Sequence, residues 1–505
     1  KNTIKNMNYF KTYLIKDKKI KYIYLIVNIL TLILTGLLIL FNLFFINFPQ
    51  WVVWYIGTLS VIQNILYQLL FKTKWITKII LPLFFIAIVV FISLFVYCCP
   101  YWDSSTFKLI NRTQLNYDDV ISYKQAADDL ETAMYYLEKT HPMFQDGLYT
   151  TIEERYANAL KKLEQMQIIT VNDLRREIQV VINPIHDAHT TTYSNSPRNK
   201  YLKDAYQKGE EGYTFYSLNG YTSSEIIEAA KPYYSYESEN WISISYVSLA
   251  SLEFYGYFAP YTFGWKDSNG NILTQTYTLD DFVSLEEYEE FVKSYSELSD
   301  EEEEETPFVY YEIDEQKSLA ILTLTECKYN AEYRNCVKKM FEEVKAKNIE
   351  NVAVDVRGNG GGDSTVANEF IKYLPVDSFI DCPGDWRWGF LMISDNGHRK
   401  NTPYKNLLFE GNVYVLTNRK SFSAAMDFAQ IIQDNKLGKV VGEIPANDVN
   451  GYGEIVVFSL PNTRISMQIS TKKWYRIDAS NDSDYVIPDY SCSGDKVLSV
   501  LYSII

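Results

Sequence analysis

Two serines, Ser421 and Ser423, lie at a predicted turn between a strand and a helix, where a hydroxyl group could act as a nucleophile. The strand covers Val413 to Leu416, and the helix opens near Ser423 with apolar residues recurring at helical spacing. The first N–H groups of a helix lack partners within it, and the helix dipole favours negative charge beside them. Serine is also a common helix cap. The turn alone therefore leaves two interpretations open, a nucleophile and a cap.

A glycine cluster at 358–362 follows a second predicted strand, Val352 to Val356, and leads into another helix. Glycine lets the backbone come close to a ligand, so its N–H groups could face a developing oxyanion. The lysine and hydroxyl of a P-loop are absent, and the dinucleotide-binding spacing is not met. The cluster is therefore either an oxyanion site or a tight turn.

Four histidines are candidates for the base that a serine nucleophile needs within about 3 Å. His186 and His189 flank Asp187 in one loop, His141 closes a helix, and His398 lies in a polar loop. His186, Asp187 and His189 could be considered as metal ligands, but the sequence shows no further ligand clustered with them. We therefore expect no metal and no cofactor.

Several segments, in order along the chain, resemble signatures of the C-terminal-processing and tricorn-type serine peptidases. Three of them are core signatures: Asp355 to Gly362, Ser421 to Ala425, and Val441 to Glu443. Residues 187–190 resemble the histidine loop of the tricorn-like branch, and residues 487–489 resemble a proline–aspartate step near the end of the catalytic domain. The resemblance covers about residues 117–499 and is strongest over 352–443.

The resemblance implies a ClpP/crotonase-like α/β core that hydrolyses peptides. In it Ser423 would be the nucleophile and His189 the base, with His186 as the runner-up. The oxyanion hole would consist of backbone N–H groups, those of Ala424 and of Gly360 or Gly361.

The chain departs from the processing branch at the position of its lysine base. That position, about 25 residues after the serine, holds Asp448, and Lys472 and Lys473 lie further on. A serine–lysine pair is therefore disfavoured, and a serine–histidine mechanism is expected.

The chain also departs from the tricorn-like branch, which places a serine before its histidine, because Ala188 occupies that position. The group that orients His189 therefore stays open. Asp484 and Asp489 are candidates by location and Asp187 by adjacency, although Asp187 and Asp489 could equally be loop caps.

The chain divides into five predicted segments. They are a membrane domain at 1–102, a helical lobe at 103–200 that ends in the histidine loop, a small β-rich domain at 201–296, an acidic linker at 297–307 and an α/β core at 308–505. Strands and helices alternate in the core, which predicts a mostly parallel sheet, with a hairpin over 455–470. The β-rich domain occupies the place of a PDZ-like module in processing peptidases.

The first 102 residues predict a multi-pass membrane anchor. Residues 22–71 and 79–102 contain no charged residue, so we expect transmembrane helices at about Tyr22–Ile46, Trp51–Phe71 and Ile79–Cys99. Lysines precede the first helix and fill the loop between the second and third, which places both in the cytoplasm and the rest of the chain outside it.

The charge of the rest of the chain excludes one class of partner. The net charge is -15, and residues 1–100 hold ten lysines and one acid, so the remaining residues carry -24. Nucleic-acid binding needs a basic surface, so no nucleic-acid partner is expected. Of the six cysteines, Cys98 and Cys99 are adjacent and the other four are scattered, a pattern that indicates no disulfide framework.

Two functions of different class follow. The first is a membrane-anchored serine endopeptidase that cleaves peptides or proteins outside the cytoplasm; an esterase on the same residues would differ only in substrate. The alternative is a catalytically inactive peptide-binding or sensory ectodomain on the same fold.

Overall fold

The computed structural model describes residues 115–145, 147–193, 198–296, 307–388 and 391–505, together with five isolated helical positions between 22 and 62. The three predicted membrane helices lie outside these residues except for those positions, and the acid run at 300–305 lies outside them entirely. Within the described ranges, no helix combines the length and apolarity needed to cross a bilayer.

The described part of the chain contains eleven α-helices and twenty-one strands. The helices are α1 (Tyr123–Thr140), α2 (Thr150–Gln165), α3 (Val171–Ile182), α4 (Lys203–Glu210), α5 (Ser223–Ala230), α6 (Leu249–Phe254), α7 (Leu285–Ser296), α8 (Ala331–Ala346), α9 (Thr365–Ile371), α10 (Ala424–Asp434) and α11 (Val497–Ile504). The strands before the core are β1 (Val120–Ile121), β2 (Ile169–Thr170), β3 (Thr191–Tyr193), β4 (Tyr201–Leu202), β5 (Thr214–Leu218), β6 (Tyr221–Thr222), β7 (Tyr261–Lys266), β8 (Ile272–Tyr277) and β9 (Phe282–Val283). Those of the core are β10 (Val309–Asp314), β11 (Leu319–Leu324), β12 (Asn351–Asp355), β13 (Ser378–Ile380), β14 (Gly384–Trp388), β15 (Leu391–Asp395), β16 (His398–Lys400), β17 (Asn412–Thr417), β18 (Lys439–Gly442), β19 (Tyr452–Ser459), β20 (Ser466–Trp474) and β21 (Tyr490–Ser491).

A six-stranded sheet in the order β10-β11-β12-β17-β18-β21 forms the core. Only β10 is antiparallel to its neighbour, and the other pairs are parallel, with Val354 opposite Val415 between β12 and β17. These strands are nearly continuous apolar runs because helices cover both faces of the sheet. The predicted α/β core with a mostly parallel sheet is confirmed.

Apolar side chains from α8, α9 and α10 pack on one face of this sheet, with Phe341, Phe370 and Phe428 fully buried among them. The other face is covered by α11, whose Val497 and Leu501 lie in a smaller cluster. The carboxyl ends of parallel strands meet at one edge of a sheet, where loops commonly form binding sites. The glycine loop after β12 and the serine turn after β17 therefore lie next to each other.

The helical lobe is joined to the core by the short strand β3, which follows the histidine loop. Thr192 of β3 pairs with Met467 of β20 in antiparallel register. The buried carboxylate of Asp129, on α1, accepts hydrogen bonds from the backbone N–H groups of Asn462 and Thr463, each at 2.8 Å. The predicted hairpin over 455–470 is formed by β19 and β20, which together begin before and end after those bounds. β20 pairs with β3, the strand that follows the histidine loop.

The tyrosine-rich region contains a four-stranded antiparallel sheet in the order β6-β5-β7-β8. Its core is largely aromatic, with Tyr261, Phe263 and Trp265 of β7 fully buried. Helix α5, Ser223–Ala230, begins with a Thr222 cap. The segment 234–241 follows this helix and contributes residues to the site described below.

Candidate active site

All the residues of the site belong to one compact unit, formed by residues 114–387, 392–456 and 462–505. Ser423 lies in the turn between β17 and α10 with φ 53° and ψ -125°, a backbone conformation that non-glycine residues rarely adopt. Its hydroxyl makes no capping hydrogen bond to the helix. Of the two interpretations of this serine, the cap is therefore not the one observed.

The strained turn is held in place by its neighbours. The N–H of Ser423 donates to Oδ1 of the buried Asn447 at 3.0 Å, and the N–H of Phe422 donates to the carbonyl of Asn359 at 2.9 Å. Ser421 is fully buried, and its hydroxyl donates to the Val356 carbonyl at 2.8 Å. Ser421 thus has a structural role, whereas the Ser423 hydroxyl stays available.

The glycine loop packs directly against this turn. A Cβ atom built on Gly361, where φ is 100°, would lie 2.7 Å from Cβ of Ser423 and 3.1 Å from the Ala424 nitrogen. The Gly361 N–H itself donates to Oδ1 of Asn359 at 2.8 Å. Among the described residues, the N–H groups of Gly360 and Ala424 have no such partner, so these two are the donors available for an oxyanion.

His189 packs against the serine turn. Its ring stacks on the ring of Phe422 with a centroid separation of 4.7 Å, and the indole of Trp241 stacks on Phe422 at 4.3 Å. The His189 carbonyl accepts a hydrogen bond from Nε2 of Gln468, on β20, at 2.7 Å. The core thus holds the ring of His189 against Phe422, the residue that precedes Ser423.

Neither ring nitrogen of His189 forms a hydrogen bond with any described residue, and both are buried. The hydrogen bond between Ser423 and His189 is thus not made in this conformation. In enzymes without a bound substrate such bonds are often long and tighten only in the complex.

Asp187 anchors the histidine loop. Its Oδ1 accepts the backbone N–H of His189 at 2.8 Å, and its Oδ2 lies 3.2 Å from Nε2 of the buried His141. His141 also ends α1, as the sequence predicts. Burial opposes the charged form of Asp187, but His141 and then His189 outweigh it and lower its pKa to about 2.

Glu237, in the segment 234–241, is a site residue that the sequence did not reveal. Its Oε1 lies 3.7 Å from Nδ1 of His189, and its Oε2 accepts the N–H of Asp448 at 2.6 Å. Burial raises the pKa of Glu237 against the opposing effect of His189. For His189, burial favours the neutral ring, but the carboxylates of Glu237 and Asp187 prevail and raise its pKa.

The other acidic candidates lie elsewhere. Asp489 is exposed and accepts hydrogen bonds from Gln433 and from the N–H of Val440, in the amino-terminal part of β18. Asp484 is also exposed and accepts from the side chain of Asn450 at 3.1 Å. The structure therefore gives neither carboxylate a contact with His189, contrary to the predicted orienting role.

Two further expectations about histidines are corrected. His186 is exposed, with the edge of Tyr236 against its ring, and does not share the site with His189. His398 begins strand β16 and does not lie in a loop. A third potential metal ligand does exist, because side-chain atoms of Asp187, His189 and Glu237 all lie within 4.8 Å of one another.

The lysines after Asp448 are held by aromatic rings. Nζ of Lys472 lies 3.5 Å from the ring centroid of Trp474, and Nζ of Lys473 lies 4.3 Å from that of Tyr452. Burial lowers the pKa of both lysines.

Comparisons with known proteins concern the family and the fold of the chain. Residues 318–492 match the sequence model of peptidase family S41. The fold is similar to that of mature CPAF complexed with lactacystin, at 12% identity and a TM-score of 0.52, over 75% of this chain and 96% of that one. It is also similar to mature CPAF alone, at 12% identity and a TM-score of 0.51, over 75% of this chain and 95% of that one. The photosystem II D1 C-terminal processing protease aligns at 11% identity and a TM-score of 0.43, over 76% of this chain and 97% of that one. No curated protein sequence matches the chain.

Proposed function

Residues 318–492 belong to peptidase family S41, a family of serine-type peptidases, and on that premise we propose that this chain is a membrane-anchored serine endopeptidase. The observation that carries the proposal is the conformation of Ser423, strained, free of a capping bond and in contact with Gly361. Strain of this kind costs about 1–3 kcal/mol and persists where the surroundings impose it, often at active sites.

In the proposed reaction the Ser423 hydroxyl attacks the carbonyl carbon of a peptide bond. His189 takes the hydroxyl proton on Nε2, because Nδ1 faces the carboxylates, and later returns it to the leaving amine. The N–H groups of Gly360 and Ala424 bind the tetrahedral oxyanion, and water then releases the acyl group. Closure of the distance between Ser423 and His189 accompanies substrate binding.

The membrane and location parts of the proposal are supported by the sequence. The uncharged stretches at 22–71 and 79–102 are each long enough to cross a bilayer, and the lysines beside them favour a cytoplasmic amino terminus. The peptidase domain then acts outside the cytoplasm as part of a multi-pass membrane protein.

Replacement of Ser423 by Ala tests the reaction. We expect the full-length wild-type chain to be labelled by a fluorophosphonate and Ser423→Ala to lose labelling, with the unfolding temperature essentially retained. Ser421→Ala is the matched comparison, since it removes a buried hydrogen bond and lowers stability without removing the nucleophile. Labelling that persists in Ser423→Ala would refute the assignment.

A second candidate, a peptide-binding ectodomain without catalysis, is favoured by the unmade hydrogen bond between Ser423 and His189. The same experiment separates the two, because a binding domain would show no serine-dependent labelling in the folded wild type.

A further inference from the structure

We propose that Glu237 is the positioning residue that holds His189 in the orientation and tautomer needed to take a proton from Ser423. The inference rests on the proposed function and supplies the third member of its catalytic group. Glu237 comes from a segment between the β-rich region and the core, far in sequence from both His189 and Ser423.

Glu237 is itself firmly held. Its side chain is only 1% exposed, and Oε2 accepts the N–H of Asp448 at 2.6 Å. Its backbone carbonyl accepts a hydrogen bond from the Tyr485 hydroxyl at 3.2 Å. These contacts leave Oε1 pointing to the histidine loop, where its neighbours are the Ala188 N–H at 3.4 Å and Nδ1 of His189 at 3.7 Å. Glu237 therefore offers a fixed carboxylate oxygen to the imidazole.

Asp187 is the competing carboxylate, at 3.8 Å from Nδ1 of His189, and its oxygens are already used. One accepts the backbone N–H of His189, and the other meets His141. Asp187 thus fixes the loop, whereas Oε1 of Glu237 accepts a single hydrogen bond from the described residues, the long one from the Ala188 N–H. A ring movement of about half an ångström would bring Nδ1 within normal hydrogen-bond distance of Oε1.

The same segment also supplies Trp241, which stacks on the face of Phe422. Phe422 in turn stacks on His189, so one segment contacts the imidazole edge through Glu237 and supports its face through Trp241. Rings stacked in this way resist sliding and tilting.

In this arrangement the Nδ1 proton stays on His189 throughout catalysis, and the Nδ1–H donates a hydrogen bond to Oε1 of Glu237. Nε2 is then unprotonated and receives the Ser423 proton as the bond between Oγ and the substrate carbon forms. The resulting imidazolium lies beside the negative charge of Glu237, and it gives up the same proton when the amine leaves. Water then attacks the acyl carbon and gives a proton to Nε2, which passes it to Oγ of Ser423 as the acid leaves, so the proton count of the enzyme is unchanged over the whole cycle.

The test is Glu237→Gln in the full-length chain, with histidine labelled for NMR and peptide hydrolysis measured in parallel. The carboxyl groups that raise the pKa of His189 are Glu237, then Asp187 and Asp427, and removal of the Glu237 charge is expected to lower that pKa. The acid limb of the kcat/KM profile should move to lower pH. At neutral pH kcat/KM should fall by about 10²- to 10⁴-fold, mainly through kcat.

Glu369→Gln is the matched control, because Glu369 is equally buried and accepts hydrogen bonds from tyrosines outside the site. It should lower stability but leave the pH profile unchanged. If Glu237→Gln does not fold, Glu237→Asp retains the charge but withdraws it by one methylene, and kcat should still fall.

An unchanged His189 pKa together with wild-type kcat in a folded Glu237 variant would overturn the proposal. That outcome would leave the proposed function intact as long as Ser423→Ala remains inactive. Conversely, if the chain hydrolyses nothing, the His189 pKa still decides whether Glu237 binds the ring.

Discussion

Replacement of Gly361 by Ala is the sharpest test of the contact between the glycine loop and the nucleophile. The new Cβ would lie 2.7 Å from Cβ of Ser423 and 2.8 Å from the Phe422 carbonyl oxygen. Carbon atoms in contact prefer about 3.5–4.0 Å, so the serine turn must move by roughly 0.8 Å or more. The residue also has φ 100°, which is unfavourable for alanine.

The expected cost has two parts. Left-handed backbone costs alanine about 1–2 kcal/mol, and overpacking a close contact costs about 1–3 kcal/mol, so Gly361→Ala should lower the free energy of unfolding by ~2–5 kcal/mol. Displacement of a reacting group by about 1 Å can cost about 10²-fold in rate. We therefore expect the rate of fluorophosphonate labelling to fall by that order in the protein that remains folded.

Gly358→Ala separates the two parts, because Gly358 has φ 75° in the same loop but no atom within 4 Å of its added Cβ. It should carry only the backbone cost, about 1–2 kcal/mol, and label at the wild-type rate. Denaturant unfolding and the labelling rate constant are the two measurements. If Gly361→Ala labels as fast as Gly358→Ala at equal folded fraction, the glycine loop does not position Ser423.

Two further predictions concern the support of the histidine loop. Asp129→Asn removes the charged acceptor of the Asn462 and Thr463 N–H groups and should lower the free energy of unfolding by about 2–4 kcal/mol. The control is Asp128→Asn, which changes an exposed neighbour and should leave the free energy of unfolding unchanged. Equal urea midpoints for the two variants would contradict this prediction. The pKa of Asp187 is about 2 in the folded chain against 3.8 as its ordinary value, so its stabilisation is present above that ordinary value and is lost as pH falls towards 2. Asp187→Asn should therefore flatten stability against pH in this window, and an unchanged slope in acid unfolding would speak against the contact with His141.

Much of the core could be predicted because local patterns agree with the tertiary structure there. The helix after Ser423 begins at Ala424, and the strand predicted over Val352–Val356 is β12, Asn351–Asp355. Buried parallel strands are uniformly apolar and their loops are glycine-rich, so both signals are strong in the sequence. In the parallel sheet, the loops after β12 and β17 lie at the same edge, which brings the glycine loop to the serine turn.

The orienting carboxylate could not be predicted because its position depends on contacts without local periodicity. Glu237 lies in an irregular, tyrosine-rich segment, and contacts with residues distant in sequence, the N–H of Asp448 and the hydroxyl of Tyr485, hold it beside His189. Asp489 was a candidate by its place in the sequence, but β21 pairs in parallel with β18 and sets this carboxylate beside Val440. Val440 lies near the amino end of β18, whereas Ser423 lies at the carboxyl edge of the sheet.

The attachment of the histidine loop to β20 sets the order in which activity can arise during synthesis. His189 leaves the ribosome early, but the residues that hold its loop are made about 280 residues later: Gln468 bonds the His189 carbonyl, and Ser470 bonds the Thr190 hydroxyl. An unfinished chain therefore contains the imidazole, and later the serine, without the strand that brings them together. Under the proposed function, a nascent chain cannot cut itself or its neighbours before β20 has emerged and folded.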